Sequence, residues 1–176
     1  MIKMRRGIFE TNSSSSHAIC IHKEKEQDIQ LPKYVYFGLM DLNDGHYWET
    51  LQEKANYLHT IMYELSSKTN YVELKNVVTE TLKKHGIKCE WAKTKWGEDG
   101  YSLDLYDVKD TCDWGILKHI IPNENELLQY LFSNGSRVIY GYDGVYEELM
   151  EEAEKKFPEG EEYMYYRGWC DPDDND

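Results

Sequence analysis

The chain has no run of about eighteen apolar residues and no apolar stretch behind its basic start, Met1 to Gly7. Neither a membrane-spanning helix nor an export signal is expected. Its four cysteines, Cys20, Cys89, Cys112 and Cys170, show no CxxC spacing and no neighbouring histidine pair. That argues against a zinc site, and at this size a disulfide framework is unneeded, so reduced thiols in a cytoplasm are the expectation. Neither GxGxxG nor GxxxxGK(S/T) occurs, which removes the strongest nucleotide-binding signatures, and no GxSxG elbow is present. Nothing calls for a cofactor or a metal.

What is present is enough for one ordinary domain. At 176 residues with 40% hydrophobic and 14% aromatic side chains, including fifteen tyrosines and five tryptophans, the composition is that of a folding chain. The expected organisation is a single α+β domain over 1–170 and an acidic mobile tail over 171–176, where no apolar residue is available to pack. A formal charge of −13 argues against a general nucleic-acid binder that gains affinity by releasing counterions. The charge is uneven, however: residues 1–25 are net +3 and residues 143–176 net −10. An acidic region of this kind repels nucleic acid, docks on a basic protein or simply keeps the molecule in solution.

Alternation predicts strands over His17 to His22, Tyr34 to Phe37, Ile87 to Ala92, Tyr101 to Tyr106, Arg137 to Tyr140 and Glu162 to Tyr166. The third and fourth of these are expected to form a hairpin across Trp96 to Gly100. Leu51, Ala55, Leu58, Met62 and Leu65 recur at helical spacing and predict a helix from Trp48 to about Lys68. A second helix is expected from Tyr71 to His85 and stopped by Gly86, a third behind Asn123 as cap with Glu126 three residues on, and a fourth from Val145 to Phe157. Without a regular βαβ rhythm, the fold class expected is α+β, with a mostly antiparallel sheet packed with four or so helices.

The most distinctive stretch is the N-terminal one. Ser13, Ser14, Ser15 and Ser16, with Asn12, present hydroxyls and backbone N–H groups suited to an anion, and Arg5 and Arg6 can add charge-assisted contacts. Glu10 and His17 flank the serines, and a loop folded back as a hairpin would bring them face to face. They are then the candidate catalytic pair, one as base and the other as acid in phosphodiester cleavage, while an arginine offsets transition-state charge. A polar linker followed by a half-buried histidine accounts for the same residues without chemistry. A serine activated by His17 is a further alternative that lacks a third triad member. In the segment Glu147 to Glu154 the carboxylates share helix faces without a histidine, and a solvated face is expected there.

The string Arg5, Gly7, Phe9, Glu10, Thr11, Asn12, Ser13 to Ser16 and His17 resembles the N-terminal box of a family of small proteins of phages and mobile elements of Gram-positive bacteria. By size and acidity the chain is also similar to type II anti-CRISPR proteins, some of which resist Cas9 by binding it or by causing guide RNA to be damaged. The resemblance implies a counter-defence protein in the cytoplasm of a bacterial host, partnered with a Cas9-type nucleoprotein effector and its guide RNA. A free-standing metal-independent nuclease or phosphoesterase and a non-catalytic interaction domain are the alternatives.

Overall fold

The computed structural model describes residues 16–22, 29–40, 46–97, 116–141 and 163–167. The described core is organised around helix α1, Leu51–Leu65. Thr50 starts it with a capping box: its hydroxyl accepts from the Glu53 N–H at 3.3 Å, and the Glu53 carboxylate accepts from the Thr50 N–H at 2.9 Å. The same cap moves the helix start inward from the expected Trp48, because His46–Trp48 forms a strand of its own. Tyr57, Leu58, Ile61 and Met62 are buried on α1, and so are Lys54 and His59.

Ser66 ends α1, and Ser67 caps α2, Lys68–Lys84, by accepting from the Asn70 N–H at 3.4 Å. At the far end of α2, Gly86 takes φ +74°. The Gly86 N–H donates to the Lys83 carbonyl at 3.0 Å and the Ile87 N–H to the Leu82 carbonyl at 3.1 Å, while Leu82 and Ile87 are both buried. This is a Schellman stop with its hydrophobic contact, and it explains the glycine at that position.

Among the described residues, strand pairing is divided between two sheets. With β1 Ser16–His22, β2 Tyr34–Phe37, β3 His46–Trp48, β4 Lys88–Trp91, β5 Arg137–Gly141 and β6 Tyr163–Arg167, one sheet has the order β3-β5-β1-β6, with antiparallel neighbours. The other is the parallel pair β2 and β4, in which Tyr34 faces Lys88 and Phe37 faces Trp91. The α+β class is roughly consistent with the described elements, but the expected architecture of one mostly antiparallel sheet packed with four or so helices is corrected, because the strands divide between two sheets and one of them is parallel. The strands on which α1 and α2 pack form this short parallel pair. The described residues hold three α-helices and a π-helical turn, Ile116–Ile120. Parallel strands need a crossover connection, and β2 and β4 have one, which runs through β3, α1 and α2 and not through a tight turn. The hairpin expected between β4 and a strand over 101–106, that strand itself and the helix expected over 145–157 fall on residues outside those described.

An edge strand offers unpaired backbone groups, and α1 covers those of β2 with side chains one helical turn apart. Gln52 donates to the Tyr36 carbonyl at 2.8 Å, Asn56 accepts from the Gly38 N–H at 2.8 Å, and Thr60 accepts from the Met40 N–H at 3.0 Å. The helix thus stands in for a neighbouring strand. A Cβ at Gly38 would lie 2.8 Å from the Asn56 side-chain oxygen, so this close approach needs a glycine.

Helix α3, Glu124–Phe132, starts at Asn123, whose side chain accepts from the Glu126 N–H at 3.3 Å. The chain just past its C-terminus is held by another helix: Lys54, 1% exposed, donates from its ammonium to the carbonyls of the C-cap Ser133 and of Ser136 at 3.0 and 3.1 Å. A cation is favoured at a helix C-terminus, where carbonyls point outward. Tyr130 of α3 returns a hydrogen bond to the Lys54 carbonyl at 2.8 Å. Among the described residues no helix is long and apolar enough to cross a membrane.

Candidate functional site: a lysine-flanked aromatic cluster

Of the residues singled out in the N-terminal box, Arg5, Arg6, Glu10, Asn12, Ser13, Ser14 and Ser15 lie outside the described residues. Ser16 and His17 open β1, the strand between β5 and β6, with Ser16 opposite Gly141 and His17 opposite Tyr140.

A different cluster stands out where α1, α2 and the segment after β4 meet. His59 is fully buried on α1. Its Nδ1 lies 2.8 Å from the Phe37 carbonyl and 3.0 Å from the Gly38 carbonyl, and since both are acceptors, Nδ1 carries the proton. Nε2 lies 2.7 Å from the Tyr71 hydroxyl. Burial lowers the His59 pKa to about 4, against the opposing pull of the two carbonyls. The ring is neutral at pH 7, so Nε2 accepts the Tyr71 proton. Burial likewise raises the Tyr71 pKa, while the neighbouring Thr94 hydroxyl pulls the other way. Both partners keep their neutral forms, and both imidazole nitrogens are occupied. A general base needs a free lone pair and a pKa near the working pH; His59 has neither. It ties α1 to α2 and to the end of β2.

Around this pair the rings stack outward. Trp91 lies on Phe37 at a centroid distance of 4.1 Å and meets His59 edge-on at 5.0 Å. Trp96 packs against Tyr63 at 4.9 Å and Tyr71 at 5.3 Å, and its indole N–H donates to Thr94 at 3.1 Å. The Tyr63 hydroxyl donates to the Lys95 carbonyl, fastening this segment onto α1. Lys75 extends over the Tyr71 and Trp91 rings, 5.8 and 5.3 Å from their centroids. Partial burial lowers the pKa of its ammonium.

The surroundings are basic. Residues 68–95 hold seven lysines against Glu73, Glu80 and Glu90, a net +4 inside a chain of −13. At the C-terminal end of α2, Lys83 pairs with Glu80 at 3.1 Å and Lys84 with Glu124 at 2.9 Å, and the His85 ring lies 3.0 Å from the same Glu124 carboxylate. Lys68, Lys93 and Lys95 are exposed, and among the described residues none of them meets a carboxylate. Lys68, Tyr71 and Lys75 follow one another at three and four residues and so share one side of the helix. That spacing is visible in the sequence, but the aromatic partners from β4 and beyond are not. Cys89, on β4, has a free thiol whose pKa burial raises to about 11, which leaves it a poor nucleophile at neutral pH.

No protein-family model, no curated protein and no solved structure matches the chain.

Proposed function

We propose that this chain is a counter-defence protein of a phage or mobile element that binds a host nucleoprotein effector of the Cas9 type. The observation that supports it is the concentration of positive charge around Trp91 and Trp96 in an otherwise strongly acidic chain. Such a layout suits a partner that carries both signs: the lysine face engages phosphate, and the acidic region over 143–176 engages a basic protein groove. At the aromatic cluster the action is occupancy, since the neutral, doubly engaged His59 supports no turnover there. Guide cleavage, if it accompanies binding, belongs to Glu10 and His17 of the N-terminal box.

The test is retention of the full chain on immobilised Cas9, with and without guide RNA, reading guide length on a gel in the same samples. The expected result is retention that is stronger on the guide-loaded effector. Intact guide assigns inhibition to binding, and a shortened guide that becomes intact with Glu10→Gln or His17→Ala assigns cleavage to the box. Absence of both retention and shortening removes the proposal.

A further inference from the structure

Building on that reading, we infer that the face formed by Lys68, Lys75, Lys93, Lys95 and Trp96 is a binding site for single-stranded RNA. Three independent features converge on it. The first is charge: Lys75 lies over the Tyr71 and Trp91 rings, Lys95 directly precedes Trp96 in the chain, and residues 64–96 hold seven lysines against Glu64, Glu73, Glu80 and Glu90.

The second is a broken local rule. The first turn of a helix favours carboxylates, because unsatisfied N–H groups give it partial positive charge; α2 has no acid there and starts with Lys68 instead. The arrangement costs the isolated helix and suits a bound phosphate, which would meet the exposed Lys68 and the helix end together.

Third, the half-buried Trp96 is fixed by Tyr63, Tyr71 and Thr94, so a ring is held in place beside the cations without further ordering. Lys68 and Lys75 are about 10 Å apart along the helix axis, so both can reach one short stretch of backbone. A base stacks on an indole only when it is unpaired, and this favours a single strand over a duplex. An acidic protein segment would satisfy the lysines but leave the indole without a matching ring.

The experiment is fluorescence anisotropy of a labelled twelve-nucleotide single-stranded RNA titrated with the full chain at several salt concentrations. The duplex of the same sequence and an acidic peptide of equal charge serve as competitors. Binding to the single strand is expected, with a slope of log affinity against log salt of about −2 to −3, as three or four lysine contacts would give. Lys68→Glu combined with Lys95→Glu is expected to weaken binding at least tenfold. These side chains are exposed, and an unchanged melting curve shows that the fold is retained. Lys83→Gln, at the ion-paired end of α2, is the control and should bind as the parent does.

No anisotropy change at low salt, equal affinity in the double variant, or stronger displacement by the duplex or the acidic peptide would each overturn the inference. The two proposals fail separately. If Cas9 is retained without guide and the double variant is retained equally well, effector binding stands and the RNA site falls. If RNA binds and Cas9 is not retained, the RNA site stands and the effector reading falls.

Discussion

Helices α1 and α2 are similar in length and consecutive in the chain, yet they are put to opposite uses. In α1 the run from Lys54 to Met62 is buried except for Asn56, and its polar groups are spent on neighbouring backbone: Lys54 on the end of α3, His59 on the end of β2, and Gln52, Asn56 and Thr60 along the β2 edge. In α2 only Tyr71, Val78, Thr81 and Leu82 are buried, and the outer surface carries Lys68, Lys83 and Lys84 beside Glu73, Glu80, Val72 and Val77. The difference teaches where polarity is structural and where it is on offer. A buried polar group must be satisfied or it costs the fold, whereas an exposed lysine costs almost nothing and is available to a ligand.

The sharpest way to break this comparison is to remove the polar group buried deepest in α1. Lys54→Met keeps most of the aliphatic stem and leaves the Ser133 and Ser136 carbonyls without their donor. A loss of about 3 kcal/mol is expected, read as a lower urea midpoint with unchanged slope. The matched change on α2, Lys68→Met, should move the midpoint hardly at all.

Next in size is the pH dependence carried by His59. Its pKa is about 4 in the folded chain, against an ordinary value of 6.5. Between those values the unfolded chain binds the proton and the folded one does not, so stability falls as pH drops from about 6.5 towards 4 and levels off below. The contribution lost is about 3 kcal/mol, from 1.36 kcal/mol per unit. The carboxylates titrate in part of the same range, so the quantity to measure is a difference. His59→Phe is less stable at pH 7 because the Phe37 and Gly38 carbonyls and the Tyr71 hydroxyl lose a partner, and its stability curve lacks this component between pH 6.5 and 4. A variant with the same pH slope as the parent would show that His59 is not the buried neutral group described.

Smaller again is the stop of α2. Gly86→Ala has open space for its Cβ, so the expected cost of about 1 to 2 kcal/mol comes from the positive φ alone. Thermal unfolding of the variant should show it, with RNA affinity unchanged, because Gly86 is at the end of α2 remote from Lys68.

Much of the local structure was legible in the sequence. The spacing of Leu51, Ala55, Leu58 and Met62 located α1, Gly86 marked the end of α2, Asn123 marked the start of α3, and alternation found β2 and β4. Pairing was not legible, because alternation says that a strand has two faces and is silent on its partner and direction. For Tyr34 to Phe37 the partner is more than fifty residues away. The strand His46–Trp48 is too short to show a period. Burial of Lys54 was hidden for another reason: a lysine in an amphipathic helix reads as solvated until the carbonyls of Ser133 and Ser136 are known to wait for it. Of the expected site, only Ser16 and His17 fall among the described residues. The lysine-flanked cluster is not visible in the sequence because its rings come from α1, α2, β4 and the segment beyond.

Amide hydrogen exchange of the full chain, alone and bound to guide-loaded Cas9, tests the central claim most directly. Added protection should concentrate over residues 68–75 and 93–96, while the buried middle of α1 is expected to stay as it is. Protection that appears elsewhere, for instance over residues 31–39 with their exposed Leu31, Tyr34, Tyr36 and Leu39, with residues 68–96 unchanged, would contradict the account.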